Sequence, residues 1–449
     1  MRGIEAALTV LTSELNNKDS KKFSSESLRI LADREKMKAP DISLASSLLY
    51  IFSRRRELWE KISSGYLRSK ENLPASVNMA VLMGTGGLLE LRRFSGGVLV
   101  NGIVDYLRQN RFTIKYAGLV NAVLHKVIEN GADTLEKFRR SPSAEGRAMF
   151  AGVPVWSLPA WSRSWSRQEL YSLFDMMELP SYSSLRVSPG KLSEVSEALD
   201  AQGIKYTKSE QSDALRLRET VLPAKIPGFN EGFFTVQSES SILAASLVKK
   251  FTASKKSRIL DMCSGRGVKS AQVLQDCPDS FIECWEISQA RSKSSERELD
   301  RLGVRERSLA RVGNALSLEP EEAPDFVMLD APCSCSGTWN RKPESKWRLD
   351  WKKLDAFAIA QKKLLERAVK LCKPGGYVLY ITCSLLKQEN ESVIAEILSG
   401  NPECVEVSGL FGWNGEIFRK GRPYGMYILP YNSWLDGFYC SLILKKNGR

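Results

Sequence analysis

The 449-residue chain contains one histidine, His125, and no cysteine before residue 263. A single histidine argues against nucleophile triads built on imidazole and against imidazole acid–base catalysis. The nine cysteines all lie between Cys263 and Cys440, so they cannot be a disulfide framework spread over the whole fold. Reduced thiols in a reducing compartment are expected instead. No stretch approaches the roughly 20 consecutive apolar residues that a membrane span needs. The start, Met1-Arg2-Gly3-Ile4-Glu5, lacks a signal-peptide pattern because Glu5 interrupts any apolar core, and a cytoplasmic location is expected. Acidic residues are in the minority: the net charge is +13, and residues 1–150 carry 24 Lys/Arg against 16 Asp/Glu. Such a surplus attracts polyanions such as RNA, while a solvated surface that keeps the chain soluble accounts for it equally well.

What is present is ordinary for a globular protein, with 43% apolar and 26% charged residues. The length predicts two or three domains. Residues 1–140 hold no convincing strand. Helical periodicity recurs over 42–59, 75–91, 98–107 and 117–128, with Gly- and Asn-containing breaks between, as in a helical bundle. Residues 141–180 are punctuated by Pro142, Pro154, Pro159 and Pro180 and hold Trp156, Trp161 and Trp165, and this predicts a linker packed against a neighbour. A strand at Leu185-Arg186-Val187 and a helix over 191–202 make a small α+β module of residues 181–237.

From residue 238 strands and helices alternate, which predicts a parallel sheet with Rossmann-like α/β topology. Strands are expected at Ile259-Leu260-Asp261, 281–286, 326–330 and 377–381, with helices over 270–275, 288–302 and 353–372. The stretch Val327-Met328-Leu329-Asp330-Ala331-Pro332-Cys333-Ser334-Cys335-Ser336-Gly337 is central. Its apolar run reads as a strand buried on both faces, and its tip puts a carboxylate and two thiols where open α/β sheets bind ligands.

Asp261-Met262-Cys263-Ser264-Gly265-Arg266-Gly267-Val268-Lys269 follows a strand and opens a helix, and its glycines let a ligand approach the backbone. Glu286, ending the next strand, is placed to hold ribose hydroxyls. Together these permit a nucleotide-containing cofactor, either NAD or S-adenosylmethionine. The thiols discriminate between the two. Carbon 5 of cytosine is a poor nucleophile, and a thiolate adding to carbon 6 makes it enamine-like and able to attack an electrophilic methyl group. Cys333 and Cys383 both follow strands at the ligand edge and are candidates for that thiolate, with Asp330 as an acid that drains charge from the ring nitrogen. Cys333 and Cys335 are spaced like a metal pair, but a structural zinc needs four ligands and His125 is remote, so no metal is expected.

Asp330-Ala331-Pro332-Cys333-Ser334, Lys346-Trp347 and Tyr380-Ile381-Thr382-Cys383-Ser384-Leu385-Leu386 with Glu389-Asn390-Glu391 resemble the motifs of RNA cytosine-5 methyltransferases, and most closely those of the bacterial RsmB/Sun branch. The likeness extends through Gly232, Gln237, Glu239 and Asp436-Gly437-Phe438. In front, Phe94-Ser95-Gly96-Gly97-Val98-Leu99-Val100-Asn101 and Tyr116-Ala117-Gly118-Leu119-Val120-Asn121-Ala122-Val123-Leu124 resemble a NusB-like helical RNA-binding domain. The resemblance implies an all-α NusB-like domain over 1–140, the small RNA-binding module, and an S-adenosylmethionine-dependent methyltransferase domain over 238–449 acting on small-subunit ribosomal RNA. It further implies that Cys383 is the nucleophile, that Cys333 assists release of the methylated base, and that Asp330 contacts the cytosine beside the cofactor with Lys269 near it. Cys263, Ser264, Gly265, Arg266, Gly267, Val268, Lys269, Glu286, Asn314 and Asp330 would bind the cofactor. Val268 stands where a glycine is usual, Arg266 where proline or alanine is common, Asn314 for an aspartate, Cys335 for a small residue and Ser188 for an asparagine. Transfer RNA or another ribosomal site as substrate, a non-catalytic RNA-binding assembly factor and a nicotinamide oxidoreductase are the competing readings. A monomer without membrane attachment is expected.

Overall fold

The computed structural model describes residues 2–16, 24–67, 73–91, 95–219, 221–252 and 256–447. Phe94, part of the NusB-like stretch, lies outside them. By contacts the chain divides into two compact units: Met1–Pro159, Arg167–Glu178 and Trp339–Arg348 form one, and Ala160–Ser166, Leu179–Thr338 and Leu349–Arg449 the other.

The first unit begins with helices α1 (Arg2–Asn16), α2 (Ser24–Glu35), α3 (Ala39–Arg54), α4 (Arg56–Ser64), α5 (Ala75–Glu90), α6 (Gly96–Arg108) and α7 (Ala117–Arg139). The residues from Met79 to Gly87 on α5 are all buried, as expected of a helix apolar on every side that runs through a bundle core. Its glycines let neighbours approach: a Cβ at Gly84 would stand 2.8 Å from Leu124 and 2.9 Å from Ile103. The periodicity over 42–59 predicts one helix, but the structure breaks it at Arg55, whose backbone leaves the helical region. That residue is only 7% exposed. Its guanidinium pairs with Glu90 and lies 4.3 Å from the centre of the Phe150 ring. The buried ion pair thus overrides local helix propensity.

Residues 141–180, expected as a linker, carry α8 (Ala144–Ala151), α9 (Leu158–Ser164) and α10 (Arg167–Met177). Ser143 caps α8 by accepting from the Gly146 amide at 3.0 Å. Trp161 and Trp165 are buried, which gives a proline-punctuated stretch the apolar area it needs to hold helices.

In the second unit, β1 (Ser184–Val187), α11 (Leu192–Ala201), β2 (Tyr206–Lys208), β3 (Ala214–Leu217) and β4 (Phe234–Val236) make a four-stranded antiparallel sheet in the order β2-β3-β1-β4. Gly232, at φ +76°, lies so close to the Arg301 carbonyl that a Cβ would sit 2.0 Å from its oxygen. Gln237 donates to Gln272 at 2.7 Å, and Glu239 pairs with Arg216 at 2.7 Å. These residues therefore tie the small module to the rest of the second unit.

The remainder comprises α12 (Glu239–Thr252), β5 (Arg258–Asp261), α13 (Val268–Asp276), β6 (Phe281–Glu286), α14 (Gln289–Arg301), β7 (Ser308–Val312), β8 (Phe326–Asp330), α15 (Trp351–Leu371), β9 (Tyr377–Thr382), α16 (Glu391–Gly400), β10 (Cys404–Glu406), β11 (Phe418–Lys420), β12 (Met426–Ile428) and β13 (Phe438–Lys445). The larger sheet runs β11-β12-β13-β9-β8-β5-β6-β7, with β10 on β13. Strands β5 to β9 pair in parallel, as the sequence predicts. The antiparallel flank formed by β10 to β13 was not legible from the alternating pattern. Chain order reverses between β5 and β8, and the crevice beyond that reversal is where such sheets take ligands.

Candidate active site

Asp261 and Asp330 end the two strands that flank the reversal. Strands β8 and β9 are parallel, with Asp330 opposite Ile381. Cys333 and Cys383, three and two residues further along their chains, therefore leave the same edge of the sheet. Their Sγ atoms are 3.3 Å apart. Cys333 is buried and Cys383 is partly exposed. Lys269, near the start of α13, donates to the Asp330 carboxylate at 2.7 Å. Burial alone would lower the Lys269 pKa, but Asp330 and, more weakly, the charge on Cys383 raise it above its ordinary value. The same attraction favours a thiolate at Cys383. Hydrogen bonding to Cys335 and Cys383, together with burial, holds the Cys333 thiol well above the usual range. The two thiols, interchangeable on the sequence, are thus inequivalent in the fold.

A second acid, unassigned by sequence reasoning, joins the two cysteine loops. Glu389 is fully buried. Its Oε1 accepts from the Ser334 amide at 2.8 Å and from Gln361 at 3.0 Å, and its Oε2 accepts from the hydroxyls of Ser334 and Ser384. One carboxylate therefore ties together the residues that follow Cys333 and Cys383. Asn390 adds a clasp, accepting from Thr382 at 2.6 Å and donating to the Ser384 carbonyl at 2.9 Å. Gly337 packs on Gly437, where a Cβ would stand 2.1 Å from the carbonyl oxygen, and Phe438 lies 5.6 Å from the Lys269 ammonium. The sequence signals for this network were the Glu389-Asn390-Glu391 string and the serines and threonine beside the two cysteines in their motif strings.

The glycine-rich turn between β5 and α13 forms a cradle. Gly265 has φ +58°, and a Cβ there would meet nothing nearer than the Cys263 carbonyl at 4.0 Å, so that side is open to a ligand. Gly267, at φ +75°, is needed for packing, because a Cβ would lie 2.1 Å from Ser295. Ser264 turns back to bond the Trp285 carbonyl at 2.9 Å, Arg266 points to solvent, and Val268 begins α13. Burial and neighbouring carboxylates push the Cys263 thiol up, so it remains neutral. Glu286 accepts from the Gly265 amide at 3.1 Å and the Ser288 amide at 2.7 Å, and pairs with Arg291 at 2.7 Å. A carboxylate oxygen accepts two bonds, so Oε2 keeps capacity for a ribose hydroxyl. Asn314 is exposed beyond β7, and its Oδ1 caps a turn by accepting from the Leu316 amide at 3.0 Å. The open glycine, the acid and the neutral thiol fit a nucleoside-containing cofactor. Lys346-Trp347 is not in this group: within the helical unit, Lys346 donates to the Arg54 carbonyl at 2.8 Å and also to that of Gly152.

Burial pushes the Asp261 carboxyl up to about 7, against donation from Ser270 and with added repulsion from Asp330. The folded chain then holds one more proton than the unfolded chain between about pH 4 and 7, so this group's contribution to stability falls as pH rises through that window. Urea unfolding should show wild type losing on the order of 3 kcal/mol relative to Asp261→Asn from pH 4 to 7.5. Parallel pH profiles for the two proteins would refute this.

Residues 249–444 match the family described as 16S rRNA methyltransferase RsmB/F, and residues 4–129 match the NusB family. Ribosomal RNA small subunit methyltransferase B of Klebsiella pneumoniae subsp. pneumoniae is 27% identical over 424 residues, covering 92% of this chain and 91% of its own. The protein of that name from Xanthomonas campestris pv. campestris is 28% identical over 347 residues, covering 74% and 72%. Among solved structures, PH0851 superposes with a TM-score of 0.77 at 24% identity over 99% of this chain and 98% of that one. NSun6 from Pyrococcus horikoshii, solved with SFG, gives 0.57 at 16% identity over 66% of this chain and 99% of its own. Both likenesses concern the fold. With strand order, cradle and thiol pair in place, the catalytic portion of this enzyme belongs to the RsmB/F methyltransferase family and its helical front to the NusB family.

Proposed function

We propose that this enzyme transfers a methyl group from S-adenosylmethionine to carbon 5 of a cytosine in small-subunit ribosomal RNA, through a covalent cysteine–cytosine adduct. The observation that carries the reading is the thiol pair, Cys333 and Cys383 at 3.3 Å, beside the Asp330–Lys269 ion pair. The names of the curated relatives support the RNA substrate, and the SFG-bound neighbour supports the cofactor class. Residues 263–269, Glu286 and Asn314 would hold S-adenosylmethionine, which supplies an electrophilic methyl group.

The Cys383 thiolate, favoured by Lys269, adds to carbon 6 of the flipped-out base, which Asp330 contacts, and the Lys269 ammonium paired with Asp330 offsets the electron density that the ring nitrogen takes up. Carbon 5 then accepts the methyl group. A proton must leave carbon 5 before the C–S bond can break. Once the Cys383 sulfur is bonded to carbon, it no longer raises the Cys333 thiol; Cys333 then loses its proton to solvent, and the resulting thiolate takes the carbon-5 proton as the base departs. Glu389 is fully buried, bonded to both loops, and acts by positioning them.

With the purified enzyme, radiolabelled donor and small-subunit rRNA, label should enter one cytosine that bisulfite sequencing reports as protected. Label on another base, or protection in transfer RNA alone, would overturn the substrate reading. Glu389→Gln should lower kcat about 100-fold, as small misplacements of reacting groups do, while KM for the donor changes less than about threefold. A matching rise in KM with kcat intact would show that Glu389 serves cofactor binding instead.

A further inference from the structure

The register of β8 and β9 brings a third sulfur to the thiol pair: the Sγ atoms of Cys333, Cys335 and Cys383 all lie within 4.8 Å of one another. The Cys333–Cys335 spacing alone lacked ligands, and the missing donor comes from another strand. We propose that these three cysteines form a binding site for one soft, thiophilic divalent cation of the Zn²⁺ and Cd²⁺ class, and that occupancy silences the enzyme. The silencing half rests on the reading of Cys383 as nucleophile.

The geometry is close to what such an ion needs. Zinc–thiolate bonds of about 2.3 Å in tetrahedral array place sulfurs about 3.8 Å apart. The observed separations, from 3.3 Å to no more than 4.8 Å, bracket that value, so side-chain adjustment without backbone rearrangement closes the set. Three protein ligands leave a fourth position for water or another donor, as in open rather than structural sites. None of the three is in a disulfide, and Cys335 and Cys383 are partly exposed, so an ion can reach the set. The ammonium of Lys269, whose pKa already registers the charge on Cys383, offsets part of the charge that three thiolates would gather. Binding converts up to three thiols to thiolates and releases their protons to solvent, with no change of oxidation state.

Cys335 is the residue that distinguishes this chain, since the resemblance puts a small residue there. It stands at φ +59°, where L residues are strained, and its sulfur donates to the Cys333 carbonyl at 3.5 Å. Glycine is at ease in that conformation, so Cys335→Gly removes the sulfur without asking the backbone to move.

The test titrates the full-length, phosphine-reduced protein with Cd²⁺, in the absence of RNA and methyl donor, and follows the ultraviolet thiolate-to-cadmium charge-transfer band. Wild type should saturate at one equivalent with the intensity of three thiolates. Cys335→Gly should lose about a third of that band and bind at least tenfold more weakly, with Cys335→Ala as a second variant should glycine impair folding. In methyl-transfer assays, Zn²⁺ should inhibit wild type reversibly, with recovery on chelation. Relative to its own chelated rate, Cys335→Gly should need at least tenfold more Zn²⁺. Equal bands, or equal Zn²⁺ sensitivity, in wild type and Cys335→Gly would overturn the proposal. The cadmium arm reads binding without catalysis, so a chain that binds three-thiolate Cd²⁺ yet methylates no cytosine would sink the functional reading and leave the site standing.

Discussion

Cys383→Ala should abolish methyl transfer to RNA, with a loss of about 10⁴-fold or more, because a reaction routed through a covalent intermediate has no comparable path without its nucleophile. The expected effect is chemical and not structural. Cys383 is partly exposed, and the loops around it are held by Glu389 and Asn390 through Ser334, Ser384 and Thr382. The variant should therefore unfold within about 1 kcal/mol of wild type. It should also bind the methyl donor as before, since the cradle lies on β5 and β6. Rate in single turnover and donor affinity by calorimetry check the two halves separately. Substantial residual transfer would return the nucleophile's role to Cys333, which the sequence alone leaves equally eligible.

Cys333→Ala should give the opposite phenotype: addition and methylation proceed, but the product stays attached. Incubation with RNA and methyl donor should yield a protein–RNA band that survives a denaturing gel. That band should be absent from the Cys333→Ala, Cys383→Ala double variant. The physical basis is the inequivalence of the two sulfurs. Cys333 is buried and held in its protonated form by its neighbours, Cys383 among them, so it is not the attacking thiolate and becomes a base only after Cys383 is bonded to the ring. If Cys333→Ala turns over freely with no trapped complex, the release role is lost and another group must take the carbon-5 proton.

Much of this arrangement was legible in the residues. The strands 281–286 and 326–330 emerge with the bounds that the sequence predicts, each a short, mostly apolar run ending in an acid. Motif strings located every residue of the thiol pair and the cradle. What stayed hidden depends on register between distant segments. The convergence of Cys335 with Cys383 requires that β8 and β9 be parallel with Asp330 opposite Ile381, and no local pattern encodes that. Arg55 breaks a periodic helix for a partner 35 residues away. The flank of β11 and β12 escaped because three-residue strands are too short for alternation to show, and β13 because its apolar residues pair antiparallel beside a parallel sheet. The sequence placed Glu389 in a motif string without a role; its full burial and four donors reveal it as a clasp.

That clasp also bears on when the enzyme becomes reactive during its own synthesis. Ser334 and Ser384 are 50 residues apart, and the carboxylate that gathers them is made after both. Until β9 has docked beside β8 and the turn after it has closed, the two sulfurs are neither adjacent nor subject to each other's influence. An emerging or partly folded chain therefore lacks the thiol pair on which the proposed chemistry rests.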